Sequence, residues 1–212
     1  MKSTDLFWTI SPYGERRTLW QMFPTDDDWS WNMGERLRKG RSMTRSQWPS
    51  PPPVWTYDKV KTFEDMPWGI RDFHIVSDRL RAFLEVEAPG AAQYMPIALR
   101  GPRQKEIPCS YWAMNFVRVF DCLDEEHSMN VDDTGRRYVE FPVIDPRRIP
   151  EDGVLGLLKE YEVDRIIRDD LRRKIIKEKF VGPQFYQIGQ LDLPHTRNFK
   201  KVDWSKVKKK DA

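Results

Sequence analysis

The pattern of apolar and polar residues along the chain occurs twice, at an offset of 91 positions. Residues 75–81 read Ile-Val-Ser-Asp-Arg-Leu-Arg, and residues 166–172 read Ile-Ile-Arg-Asp-Asp-Leu-Arg. Each copy predicts a short apolar strand, a helix capped by an aspartate, a Gly/Pro break and a second strand. The sequence therefore predicts duplicated strand–helix–strand units over residues 73–97 and 164–188.

Helical spacing indicates which side chains of the two units are buried. The two helices are predicted over residues 78–88 and 169–180, and each carries one line of apolar residues. Residues at i, i+3 and i+4 share a face of a helix, so we expect the line of the first helix to lie in the core. The line of the second helix follows the spacing i, i+4 and i+5, and basic residues cover the rest of that helix. The apolar positions are Leu80, Phe83 and Leu84 in the first helix and Leu171, Ile175 and Ile176 in the second.

A run of aromatic and β-branched residues between the copies predicts one long strand over 111–122. A second run, over 138–144, follows a cluster of turn-forming residues and predicts the hairpin partner of that strand. Two copies are too few for a solenoid, which needs at least three repeats to bury its faces. We therefore expect an α+β fold in which the duplicated units surround a mainly antiparallel sheet.

The front of the chain lacks long periodicity and has a different composition. Seven of the nine tryptophans and a Pro-rich run at residues 48–53 lie within the first 68 residues. Tryptophan is costly to leave in water, so we expect this irregular segment, 1–68, to pack on an α+β domain over 69–192. Residues 193–212 form a basic C-terminal tail.

The tryptophans of the front segment are candidates for contact with a partner, because Trp, Tyr and Arg dominate the energetics of protein interfaces. Burial in the core is the alternative for each of them. The candidate partner-binding residues are Trp29, Trp31, Trp48 and Trp55.

Composition is that of an ordinary globular chain, with 212 residues, 33% charged residues and a formal net charge of +3. The sequence contains no run of about 18 apolar residues, so we expect no membrane span. An acidic residue and Pro12 stand where a secretory signal would place its apolar core, which favours a cytoplasmic location. In that compartment we expect Cys109 and Cys122 to be reduced.

Residues that could carry catalysis or hold a cofactor do not form a recognisable set. Cys122 and His127 are near in sequence, but an acidic loop does not fix the geometry of a nucleophile and its base. The three histidines lack the spacing of a zinc site, and no glycine-rich phosphate loop is present. We expect no enzyme activity, no cofactor and no metal; a small enzyme with an unrecognised site is an alternative.

Basic residues of the second helix and the tail offer a further alternative, a regulatory protein that binds nucleic acid. Lys and Arg neutralise phosphates, and Trp204 could stack on a base. Acidic residues are interleaved with these charges, so a solvated helix face explains them as well.

Three segments together resemble a known family, the bacterial polymorphic-toxin immunity proteins grouped as immunity protein family eleven. They are the strand, helix and aromatic-x-Pro segment at residues 73–97, the Tyr-Trp-x-x-Asn-x-x-x-x-x-Asp-x-Leu-Asp pattern at 111–124, and residues 166–188. The resemblance implies a cytosolic protein that binds and neutralises a cognate toxin, with no catalytic residues and no cofactor. The Trp-rich front departs from the pattern expected of that family.

Overall fold

The computed structural model describes residues 6–11, 21–24, 36–37, 39–57, 64–69, 74–100, 110–131, 137–139, 141–159 and 165–191. Fifteen strands lie within the described residues. They are β1 (Phe7–Ser11), β2 (Gln21–Pro24), β3 (Val54–Tyr57), β4 (Trp68–Gly69), β5 (His74–Ser77), β6 (Ala92–Arg100), β7 (Tyr111–Phe116), β8 (Val119–Phe120), β9 (Met129–Val131), β10 (Arg137–Val139), β11 (Val143–Ile144), β12 (Leu155–Leu158), β13 (Arg165–Arg168), β14 (Gln184–Gln187) and β15 (Gly189–Gln190).

Three α-helices accompany these strands in the part of the chain that the structure describes. They are α1 (Asp78–Glu87), α2 (Glu125–Ser128) and α3 (Asp169–Lys177), and short 3-10 helices lie at Arg45–Gln47 and Pro146–Arg148. The fold is thus α+β with mainly antiparallel pairing, which confirms the predicted fold class.

Most of the strands belong to two sheets. Six strands form a closed barrel in the order β2-β3-β6-β7-β5-β4, and five form an open sheet in the order β14-β1-β13-β12-β8. Two further pairs are antiparallel β9–β10 and parallel β11–β15. A hydrophobic core between the sheets and the helices contains Leu80 and Leu84 of α1 together with Leu171 and Ile175 of α3.

The beginnings of the two long helices differ in their chemistry. The Ser77 hydroxyl accepts a hydrogen bond from the Leu80 backbone N–H, so the cap of α1 is Ser77. The sequence prediction that Asp78 caps this helix is therefore wrong. Helix α3 has no side-chain cap of this kind at Arg168. Asp169 and Asp170 lie in its first turn instead, where their charges favour the positive end of the helix dipole.

The long strand predicted over 111–122 is wrong, because the chain leaves one sheet for the other at Val117 and Arg118. Both of their backbone N–H groups donate to the Ala91 carbonyl, which ends the β7 ladder. The Arg118 carbonyl then accepts from Leu157, so β8 begins in the five-stranded sheet. The predicted hairpin is also wrong: β10 pairs with β9, and β11 pairs with β15.

The front segment contributes strands to both sheets. β1 lies between β13 and β14, and β2 and β3 are members of the barrel. The strand pairings therefore cross the boundary that composition suggested at residue 68.

Both predicted units contain a strand, a helix and a strand in the expected order. Their origin as a duplicated unit stays a prediction.

Candidate partner-binding surface

Two of the four candidate tryptophans are core residues. Trp48 is 7% exposed and Trp55 is 0% exposed, and both pack with Ile75, Leu99 and other apolar side chains inside the barrel. The Trp48 indole N–H donates to the Pro96 carbonyl at 2.7 Å, which satisfies its polar atom. Such side chains offer a partner no contact area. Trp29 and Trp31 lie outside the described residues.

Cys122 and His127 have different environments. Cys122 is completely buried. His127 is exposed, and its Nδ1 lies 3.0 Å from the Asp124 carboxylate, which raises the pKa of the His127 imidazole by hydrogen bonding and by charge. A buried thiol is not accessible to a substrate, so the pair forms no nucleophile and base.

Among the described residues, no three His, Cys, Asp or Glu side chains lie together in a way that could hold a metal ion. No helix in the same part of the chain is long and apolar enough to cross a membrane.

The exposed side of helix α3 carries an unexpected apolar residue. Leu171 and Ile175 point into the core, whereas Ile176 is 50% exposed. At about 100° per residue, Ile176 lies about 140° from Leu171 around the helix, too far for both to face one core. Ile176 therefore does not share the buried side of Leu171 and Ile175. Glu85 lies 91 positions before Ile176, on the exposed side of α1.

Basic side chains surround Ile176 on the same helix. Arg172 and Arg173 precede it by four and three residues, and Lys177 follows it. The carboxylate of Asp169, 3% exposed, binds both arginines, at 2.9 Å for Arg172 and 2.7 Å for Arg173. One buried carboxylate thus fixes two guanidinium groups. Lys177 is exposed and pairs with no carboxylate among the described residues.

Two aromatic rings pack against the guanidinium of Arg172. Its guanidinium carbon lies 4.0 Å from the centre of the Trp8 ring, on β1, and 5.7 Å from that of Phe185, on β14. Cation–π contact of this kind holds the planar guanidinium in place. Arg172 Nε and Trp8 Nε1 are buried N–H donors with no acceptor among the described residues.

A second ion pair fixes the first turn of α3. Arg168 donates two hydrogen bonds to Asp170, at 2.9 and 2.8 Å, and its guanidinium also donates to the Glu151 carbonyl. The hydrogen bonds from Arg168 hold the pKa of Asp170 below its usual value, despite partial burial. The first turn of α3 is therefore anchored to the sheet and to the 3-10 region before β12.

We name the surface formed by Arg172, Arg173, Ile176 and Lys177, with Trp8 and Phe185 beneath, the α3 face. An exposed aliphatic side chain among fixed arginines and aromatic rings has the composition of a protein interface hot spot. Sequence spacing contained one signal for it, because Ile176 lies off the line of Leu171 and Ile175. The stacking of Arg172 on Trp8 depends on contacts distant in sequence and could not be anticipated.

The structure thus shows an α+β protein whose clearest candidate contact site is a basic and partly apolar helix face. The model of the Imm11 immunity protein family matches residues 9–190, and the chain belongs to this family. The match includes most of the front segment, so the expectation that this segment departs from the family is wrong. A search of curated proteins gave no match.

Proposed function

We propose that the protein neutralises a cognate bacterial toxin in the cytoplasm by binding it in a stoichiometric complex. Membership of the Imm11 immunity protein family supports the class of function. The observation that supports direct binding is the α3 face, where Ile176 stands 50% exposed beside two arginines fixed by one buried aspartate. A preformed surface of this kind loses little side-chain entropy on binding.

The charge of the α3 face favours an acidic surface on the toxin. Arg173 keeps 64% of its side chain exposed although it is paired, and Lys177 has no described carboxylate partner. Complementary charges accelerate encounter and exclude partners of the wrong sign. Ile176 would then supply the apolar centre of the contact, and the basic groups its rim.

A comparison within the molecule supports this assignment. On α1, the position 91 residues before Ile176 is Glu85, whose carboxylate pairs with Arg81 in an ordinary exposed ion pair at 3.3 Å. Arg81 also stacks on Trp112 at 4.2 Å, as Arg172 does on Trp8. The supporting geometry is present on both helices, but only α3 replaces the acidic residue with an exposed isoleucine. Folding does not require that replacement. Val86 of α1 is also exposed, at 77%, but it stands beside the ion pair of Glu85 and Arg81, so the basic surroundings of Ile176 are what favour binding at α3.

Binding without turnover has a simple stoichiometric consequence. The protein would occlude the toxin's active site or prevent a conformational change, and protection would require one molecule of protein for each toxin molecule. No cofactor takes part in such a mechanism. Residual toxin activity should therefore fall linearly with added protein and reach its minimum at a ratio of one to one.

The test is to express the C-terminal domain encoded by the adjacent upstream reading frame in bacterial cytoplasm, with and without this protein, and to count survivors. Killing that only this chain relieves, together with a one-to-one complex on gel filtration, supports the proposal. An unrelated immunity protein, expressed at the same level, is the control for nonspecific rescue. Killing that continues despite soluble expression of this chain excludes that domain as its toxin.

A further inference from the structure

Two three-stranded arrangements in the molecule have the same register. β7 lies antiparallel between β5 and β6, and β1 lies antiparallel between β13 and β14. Trp112 stands opposite Val76 and Pro96 in the first arrangement. Trp8 stands opposite Ile167 and Gln187 in the second. Each pair of neighbours differs by 91 positions, so Trp8 and Trp112 occupy equivalent places.

The correspondence continues along the two middle strands. Phe7-Trp8-Thr9-Ile10-Ser11 of β1 matches Tyr111-Trp112-Ala113-Met114-Asn115 of β7 in the order of its aromatic, Trp, small, aliphatic and polar residues. Both tryptophans lie under an arginine of the neighbouring helix. The first aromatic residue of each strand is buried. The shared register is therefore accompanied by shared side-chain roles.

The remaining strands also correspond in pairs. Val54 of β3 pairs in parallel with Ala98, and Val143 of β11 pairs in parallel with Gly189, which lies 91 positions after Ala98. β2 runs parallel to β4 in the barrel, as β8 runs parallel to β12 in the other sheet. An antiparallel bridge from Leu123 to Ile144 corresponds to the β2–β3 pairing. Six strand positions of the barrel thus have counterparts around the five-stranded sheet.

The order of the strands along the chain shows that β1 and β7 do not pair with the strands that directly follow them. β1 precedes β2 to β6 in the chain, yet its partners are β13 and β14. β7 precedes β8 to β15, yet its partners are β5 and β6. We infer that the protein consists of two equivalent halves, one from β1 to β6 and one from β7 to β15, and that these halves exchange their first strands. Each half is therefore the binding partner of the other. The surface through which each half binds the other is the gap between the two outer strands of its three-stranded arrangement, which the first strand of the other half fills.

The exchange makes the two halves dependent on each other for folding. Without β7, strands β5 and β6 would lose their common neighbour, and the backbone groups and apolar side chains that β7 covers would be exposed to water. The same holds for β13 and β14 without β1. While the first strands stay exchanged, the halves therefore cannot separate without uncovering both sheets.

A protease site inserted between residues 104 and 105 of the full chain tests this inference. After cleavage of the folded protein, we expect the halves to remain together on gel filtration. Urea should then release them and abolish the circular dichroism signal of the sheets in one transition, whose midpoint rises with protein concentration. Halves that separate while each retains its sheet signal would overturn the inference.

A cysteine pair gives a second measurement that does not depend on the stability of the cleaved protein. Thr9 of β1 stands directly opposite Tyr186 of β14. The variant with Thr9→Cys and Tyr186→Cys, oxidised before cleavage, should run as one full-mass band on a non-reducing denaturing gel. The single variant Thr9→Cys should give two half-mass bands. Two half-mass bands from the oxidised double variant would also overturn the inference.

Discussion

Asp65 binds the guanidinium of Arg79 through both carboxylate oxygens, at 3.2 and 3.1 Å. The same carboxylate accepts hydrogen bonds from the Ser77 hydroxyl at 2.7 Å and from the Val181 backbone N–H at 2.9 Å. Arg79 in turn lies over the Phe180 ring at 4.2 Å. One carboxylate therefore joins the beginning of α1 to the turn that follows α3.

Removal of this carboxylate should destabilise the protein more than removal of its arginine partner. Asp65→Ala leaves the Val181 N–H and the Ser77 hydroxyl without their acceptor, so we expect a loss of about 2 kcal/mol in the free energy of unfolding. Arg79 is 56% exposed, and Arg79→Ala should cost about 0.5 kcal/mol. Urea titration followed by circular dichroism measures both. Equal losses for the two variants would contradict the role assigned to Asp65.

Gly182 also fixes the backbone conformation of the turn that follows α3. Its φ of +108° lies outside the region that side chains accept, and an added Cβ would overlap the Met66 carbonyl oxygen. We expect Gly182→Ala to reduce the free energy of unfolding by about 3 kcal/mol or more. Gly90 is the matched control, because its φ is +71° but the space beside it is open. Gly90→Ala should cost about 1 kcal/mol in the same thermal or urea assay.

Local elements of the fold could be predicted from sequence, because their signals lie within a few residues. The bounds of α1 and the strands on either side of it follow from short-range periodicity and the Pro89-Gly90 break, and they agree with the structure to within a residue or two. Strand partners could not be predicted. β1 finds its neighbours more than 150 residues away, and no local pattern encodes that pairing.

The sequence does not single out the α3 face, for a related reason. Tryptophan content favours Trp48 and Trp55 as contact residues, but tertiary packing inside the barrel buries both. Ile176 belongs by sequence to the apolar line of α3, although its angular position on the helix places it outside the buried pair Leu171 and Ile175. Apolar character alone does not distinguish a core residue from an interface residue; the position of the side chain around the helix does.

His127 should titrate above its usual pKa. The Asp124 carboxylate stabilises the protonated imidazole, and this pKa shift can be followed by the NMR signal of the ring as pH is varied. A pKa raised in the folded state stabilises the fold below the unfolded value of 6.5, and this contribution is lost as pH rises through the folded pKa. Asp124→Asn should return the ring pKa towards 6.5. An unchanged pKa in that variant would show that Asp124 is not the cause.

Lys177 should influence the rate of toxin binding more than the lifetime of the complex. Because it is an exposed charge at the rim, Lys177→Glu should reduce the association rate constant about tenfold at low salt, with a smaller effect on dissociation. Lys177→Arg keeps the charge and should bind like the wild type. Stopped-flow kinetics at several salt concentrations measure these rates. A Lys177→Glu variant with the wild-type association rate at low salt would place the contact elsewhere.

Ile176 should contribute the apolar centre of the toxin contact. Ile176→Glu reproduces the arrangement of α1, where Glu85 pairs with Arg81, so the fold should tolerate it and the free energy of unfolding should change by about 0.5 kcal/mol or less. Toxin affinity should fall about a hundredfold, because a carboxylate replaces an apolar side chain in a desolvated centre.

The matched control for Ile176 is Val86 of α1, which is 77% exposed and so equally available for substitution. Val86→Glu also replaces an exposed aliphatic side chain on a surface helix, but it lies outside the α3 face and should leave toxin affinity unchanged. Isothermal titration with the purified toxin domain compares the two variants. If Val86→Glu weakens binding as much as Ile176→Glu, both helices contact the toxin. If neither variant weakens binding, the α3 face is not the binding surface, and the immunity function must depend on another part of the molecule.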